Sequence, residues 1–216
     1  MAAAYSGKVL TAALVNAVSA PVVDADIASW LQYELVGGAN GYARFQSAAL
    51  TGGSFSSVNT RYEQAPVSVE FSATGGSLLY THVVLLIDAA ADSQAGGALT
   101  ASSAVDPATD VITVASHGLS DGNAVTVTAD SGGTLPGGLT AGSLYYVKSV
   151  TSSTITLHSS ASVGSANKIN ITSTGSGTLR LRKCAGSIYG VLTESSMVTV
   201  SNGQTIGYSV KLAVND

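Results

Sequence analysis

A chain of 216 residues with a net charge of −4 lacks the basic field that a nucleic-acid partner requires. Charged residues make up only 10% and hydrophobic ones 45%, with Gly, Ala, Ser, Thr and Val filling the gap; that mixture suits strands and tight turns and excludes a disordered linker. Cys184 is the single cysteine, which excludes an internal disulfide and a cysteine-based metal cluster.

Residues 1–24 read as an N-terminal helix or arm. Ser6 caps a predicted helix from about residue 7 to 19, ended by Pro21. Val9, Leu10, Ala13, Leu14, Ala17 and Val18 fall on one face at helical spacing. This face is a candidate interface, packing either on the chain's own sheet or on a neighbouring subunit. Lys8 before an apolar run has the outline of a signal peptide, but the run is weak in Leu and interrupted by Thr11 and Asn16. It is also too short to span a bilayer, so no membrane partner is expected.

The period then changes to two. Trp30–Val36 and Tyr42–Gln46 alternate around a Gly-rich turn at 37–41 and read as a hairpin. Val67–Ala73 follows, then Leu78–Ile87, which is nearly all apolar as befits a central strand covered on both faces. Beyond Asp88 the small, flexible stretch AAADSQAGGALTASSA reads as a linker. Short strands succeed it at regular spacing: Val111–Ala115, Ala124–Thr128, Leu144–Val150, Thr154–His158, Ile169–Thr172 and Thr178–Arg182. After Cys184 the texture of the first part returns in Ser187–Thr193, Met197–Ser201 and Thr205–Val214.

The predicted fold is all-β. A jelly-roll-like β-sandwich is built from 25–98 and 184–216, and a second small β-sandwich or barrel domain, 99–183, is inserted after the central strand. Two tandem domains are the alternative, but the last three strands total too few residues to fold alone.

Catalysis needs a nucleophile, base or metal whose neighbours shift its properties, and no such set emerges. His82 sits inside an apolar strand, His117 in the turn SHGLSDG, and His158 at a strand end; none share a metal-ligand spacing. There is no GxSxG, GxxxxGK[ST], HExxH or dinucleotide-binding glycine fingerprint. Asp24 and Asp26 lie in a predicted loop, and Asp106 and Asp110 flank Pro107 in a turn. Arg180, Arg182 and Lys183 read as a charged, solvated sheet edge, and Tyr145-Tyr146 as half-buried core. No catalytic residue, cofactor or metal is therefore expected.

The segment DVITVASHGLSDGNAVTV, then GGTLPGGLTAGSLYYV, then STITLH resembles a small β module recurring in virion proteins of tailed bacteriophages. The likeness covers about 105–182; WLQYELVGGANGYAR, SSVNTRYEQ and YSVKLAVN resemble small phage structural proteins less distinctly. The resemblance implies a non-enzymatic component of the phage particle surface. Its first form is a capsid decoration or cement protein that binds and stabilises the shell of major capsid protein. An alternative is a tail, baseplate or fibre-attachment protein contacting tail proteins or a host receptor. A third is a carbohydrate-binding module, which needs exposed aromatics, whereas Trp30 is the sole tryptophan and falls in a predicted core strand. The low-charge exterior further predicts self-association, as a homotrimer.

Overall fold

Glycine-punctuated alternation of this kind folds into antiparallel strands. The structure, a computed structural model, describes residues 5–17, 21, 26–51, 53–59, 61–90 and 94–214. Its strands begin with β1 (Leu10–Val15), β2 (Phe45–Gln46), β3 (Ser54–Ser56), β4 (Arg61–Glu63), β5 (Val67–Ser72) and β6 (Leu78–Ile87). There follow β7 (Gln94–Thr100), β8 (Val105–Asp106), β9 (Val111–Thr113), β10 (Ala124–Ala129), β11 (Tyr145–Thr151), β12 (Thr154–His158) and β13 (Thr178–Lys183). The last are β14 (Ser187–Val200), β15 (Thr205–Val210) and β16 (Ala213–Val214); the two short helices are α1 (Ile27–Leu31) and α2 (Ala101–Ala104).

The chain divides into two compact units: Met1–Ser19, Glu34–Ala91 and Gly186–Asp216 form the first, and Ala20–Tyr33 and Asp92–Ala185 the second. Ile87 and Ser187 are register partners in β6 and β14, so the chain leaves the first unit and re-enters it at adjacent points.

The first unit holds a four-stranded sheet in the order β14-β6-β1-β2, a pair β15-β5 and a three-stranded sheet β16-β4-β3. Leu10, Ala12 and Leu14 of β1 and Tyr80, Val83 and Leu85 of β6 share one buried cluster with Val69 and Phe71 of β5 and Val210 of β15. Two sheets thus close on one core, as in a sandwich.

The expected N-terminal helix is a strand. β1 pairs with β6 along its whole length, from Leu10↔Ile87 to Val15↔His82, and with β2 on its other side. All six of its residues are buried, so both faces need apolar groups, and a continuous apolar run satisfies the helical and the extended pattern alike. The long apolar β6 supplies a hydrogen-bonding edge that a helix cannot use, and this pairing overrides weak helical preference.

The expected hairpin at Trp30–Gln46 is also replaced. Trp30 lies in α1, whose N-terminus is capped by Asp26 Oδ1 accepting from the Ser29 amide at 2.8 Å. Glu34 makes one isolated bridge to Val15, and β2 shrinks to Phe45–Gln46.

The second unit is organised on one seven-stranded sheet, β7-β13-β10-β11-β12-β9-β8. Strict alternation places Val125, Val127, Val147, Ile155, Leu157, Leu179 and Leu181 in a single core. The stretch read as a linker is built into this sheet: Gln94–Thr100 is β7, paired with β13. Consequently the boundary expected at residue 99 falls at 92, and Ala20–Tyr33 belongs with the second unit. Ile169–Thr172 is not a strand, though Ile171 is buried and the Ile169 amide donates to Leu157 O.

Candidate functional site

Four of the candidate interface residues of the N-terminus are core. Leu10, Ala13 and Leu14 are wholly buried and Ala17 nearly so, while Val9 is half-buried and Val18 lies outside the described residues. Leu10, Ala13 and Leu14 are enclosed because β1 runs between β6 and β2.

The histidines act as fasteners. His117 Nδ1 accepts from the Leu119 amide at 2.9 Å while Nε2 donates to Thr151 O at 3.0 Å, which locks the SHGL turn to the end of β11. His158 Nδ1 donates to Gly164 O at 3.1 Å, and Nε2 pairs with Thr156 Oγ1 at 2.9 Å. His82 contacts Thr81 Oγ1 at 2.7 Å, and burial lowers its pKa. In the YYV turn, Tyr145 Oη accepts from the Thr140 amide at 2.7 Å, so this tyrosine is buried core with its hydroxyl satisfied.

The basic run at 180–183 is not a solvated edge. β13 lies between β7 and β10, because Gln94–Thr100, the stretch read as a linker, supplies an extra strand. Arg180 holds Asp130 in a two-point ion pair at 2.7 and 2.8 Å and donates to Gln94 Oε1 at 3.0 Å. Its guanidinium holds the Asp130 carboxyl below the usual carboxylate range. Arg182 is buried, with Nε donating to Thr128 Oγ1 at 3.3 Å.

Other carboxylates are likewise committed. Asp106 accepts from the Ala108 amide and the Thr109 hydroxyl in the turn around Pro107. Asp110 binds Lys168 at 2.7 Å and the Ile171 amide at 2.8 Å. Glu63 is bound by Lys211, by Arg61 at 2.9 Å and by Asn59 at 2.7 Å, and these contacts, Lys211 first, hold its carboxyl down to about 2.

One polar network escaped the sequence reading. Glu34 and Arg44 form a wholly buried two-point ion pair at 2.6 and 2.7 Å. Tyr42 Oη donates to Glu34 Oε1 at 2.8 Å and accepts from the Leu14 amide at 3.1 Å, and Arg44 also donates to Ala90 O at 3.0 Å. Burial first, and the Glu34 charge second, push the Tyr42 phenol well up. Both carboxylate oxygens and all three guanidinium nitrogens have partners, which offsets the cost of burying the pair. Glu34, the one charged residue within WLQYELV, was its one sequence signal.

Among the described residues of the first unit, two shallow clefts stand out. One, of about 290 Å³, lies between β2 and β5 and is lined by Tyr42, Arg44, Phe45, Gln46, Glu70 and Phe71, among others. Its arginine and tyrosine are already bound to Glu34, so neither is available to activate a reacting group. The other, of about 300 Å³, is lined by Thr199, Val200, Gln204, Thr205 and Ile206 at the turn from β14 to β15. Among the described residues no group of three or more His, Cys, Asp or Glu side chains could hold a metal ion, and no helix is long and apolar enough to cross a membrane.

What the unit does present is strand edge. β14 ends the four-stranded sheet and β15 pairs only with β5. Leu79, Leu192 and Met197 are large apolar side chains exposed on β6 and β14. Sequence reasoning divided β14 into two strands and could not see which strands would lie outermost, because edge position is set by topology. The readable signal was charge: from Ser187 to Val210 the chain has one Asp, Glu, Lys or Arg, namely Glu194.

The chain matches no protein-family model, no curated protein and no solved structure.

Proposed function

We propose that this chain is a non-enzymatic structural protein of a tailed-bacteriophage particle, a decoration or cement protein that binds the shell of major capsid protein and stabilises it. The observation that carries the reading is the outermost run of β14 and β15, whose single charge is Glu194. Uncharged edges with hydroxyls and small apolar groups are inexpensive to desolvate and suit lasting contact with protein. A second support is the use of polar side chains: Asp106, Asp110, Asp130, His117 and His158 all fasten turns or neighbouring strands. The resemblance of 105–182 to a phage virion module supplies the context. Many copies arrayed on a shell bind through summed weak contacts, so each contact can be modest.

Quantitative mass spectrometry of purified particles, from the virus that encodes the chain, tests this. The expected result is hundreds of copies per particle. A few to a few dozen copies would move the protein to the tail or baseplate, and its absence from particles would end the virion reading.

A further inference from the structure

A backbone N–H can only donate and a backbone carbonyl can only accept, so the two contacts of the His117 ring fix where its proton sits. Nδ1 accepts from the Leu119 amide at 2.9 Å and carries no proton; Nε2 faces Thr151 O at 3.0 Å and carries one. The ring is buried, so a partner lost there is not readily replaced by water. His158 is built differently. Its Nδ1 donates to Gly164 O at 3.1 Å, and its Nε2 meets Thr156 Oγ1 at 2.9 Å, a hydroxyl that accepts as well as donates. A second proton fits His158 without breaking either contact. At His117 the same proton would set N–H against N–H.

What His117 holds is a strained turn and a core side chain. Ser116 and Gly118, on either side of it, have φ of +50° and +59°, and a non-glycine residue stays left-handed only where its surroundings hold it there. Leu119 belongs to the buried cluster of the second unit. The rest of the loop between β9 and β10 is tied separately: the Gly122 amide donates to Val147 O at 2.8 Å, and the Ser120 amide to Asn123 Oδ1 at 3.0 Å. Residues 116–119 can therefore lift while 120–123 stays on β11.

Few charges stand on the elements around the ring. Asp121, in the same loop, accepts from the Ser149 amide at 2.7 Å, and Lys148 is exposed on β11. β7, β9 and β10 carry no titratable side chain, and β12 carries only His158. Among the described residues no carboxylate forms an ion pair with His117 that would hold a charged ring in place.

We infer that residues 116–119 are an acid-released latch: a second proton, taken at His117 Nδ1, turns the acceptor of the Leu119 amide into a donor, and the turn lifts Leu119 from the core. The inference does not rest on the particle reading. A histidine in water takes its second proton near pH ~6.5; the opened turn binds that proton and the closed turn does not. Closure is therefore fully favoured above that value, and below it loses up to about tenfold per pH unit.

Hydrogen exchange of the full chain, read amide by amide by NMR at about pH 8 and about pH 5, tests this. Corrected for intrinsic rates, the Leu119 amide should lose more than about tenfold in protection. The Ile169 amide, bonded to Leu157 O beside His158, should keep its own. In His117→Asn the side-chain oxygen replaces Nδ1 as acceptor for the amide two residues on and does not titrate, so Leu119 protection should become independent of pH. If that variant does not fold, the wild-type contrast between Leu119 and Ile169 decides alone. Unchanged Leu119 protection in the wild type overturns the latch. So does an equal fall at Leu119 and Ile169, or a fall in His117→Asn as large as in the wild type.

Discussion

The two units manage their sheet edges in opposite ways. In the second, the outer strand β8 is two residues long, carries Asp106 and runs into Pro107. At the far edge, β7 is broken by Gly96 and Gly97, both at positive φ, where the register against β13 shifts. Shortness, charge, proline and a bulge are the usual defences against further pairing. The first unit leaves β15 regular and uncharged, and it places its strongest polar network inside, at Glu34 and Arg44. The second exposes its corresponding pair, Arg180 and Asp130, to solvent in part. The second unit blunts both edges of its sheet; the first leaves one edge, β15, regular.

The largest expected effect tests the buried network. Glu34→Ala leaves Arg44 charged in a site where both side chains are 0% exposed, and should cost about 3–5 kcal/mol in urea unfolding. Replacing the pair together, Glu34→Leu with Arg44→Met, should recover most of that loss, because no buried charge is stranded. If the single and double variants are equally damaged, the network acts through shape and not through charge.

Next in size is the bulge that blunts β7. Gly96 has φ +66°, and a Cβ there would lie 2.4 Å from Val114 Cγ1 and 3.0 Å from Ala115 O. Gly96→Ala should destabilise the second unit by about 1–3 kcal/mol through backbone strain and displacement of the side chain. Hydrogen exchange of β7 and β13 amides would locate the loss. A neutral substitution would mean that the bulge is incidental, weakening the contrast drawn between the two edges.

The sequence displayed the second unit more faithfully than the first, and the reason is physical. Val125–Val127, Ile155–Leu157 and Leu179–Leu181 alternate cleanly because one face of their sheet is apolar core. β1 and residues 82–87 of β6 are buried on both faces, so LTAALV has no alternation to read, and helical spacing fitted it equally well. QAGGALT looked like a linker because a bulged strand of small residues has the composition of one. The regular edge was half legible: its low charge stands in the sequence, but its outermost position depends on which strands β5 and β6 choose as neighbours.

A smaller effect is set by pH. Burial lowers the pKa of His82 below its ordinary 6.5, so the folded state holds the neutral ring. That contribution is fully present above the unfolded value near 6.5 and is lost as pH falls through the lower, folded value. Glu63, held at about 2 against an ordinary 4.5, contributes above 4.5 and loses its share between there and about 2. Acid should therefore weaken the first unit in a first step that begins below about 6.5 with His82, no steeper than about 1.4 kcal/mol per pH unit, the limit for one proton. A carboxylate step follows below 4.5, to which Asp88 also contributes. His82→Gln should remove the first step and leave the second, as read by exchange of β1 and β6 amides. If the first step survives in that variant, its source lies elsewhere.

The smallest effect returns to the two ion pairs. Arg180 and Asp130 share the two-point geometry of Glu34 and Arg44, with contacts of 2.7 and 2.8 Å, but the Asp130 side chain is 37% exposed. Water and salt screen a pair in that position, so Asp130→Asn should cost less than about 1 kcal/mol, and less still at high ionic strength. The Glu34→Ala loss should hardly change with salt, because the ions that screen a surface pair have no access to a buried one. Matched distances with unmatched salt dependence would show that burial, not contact geometry, separates the two networks. Equal salt dependence would mean that water reaches the Glu34 site in solution.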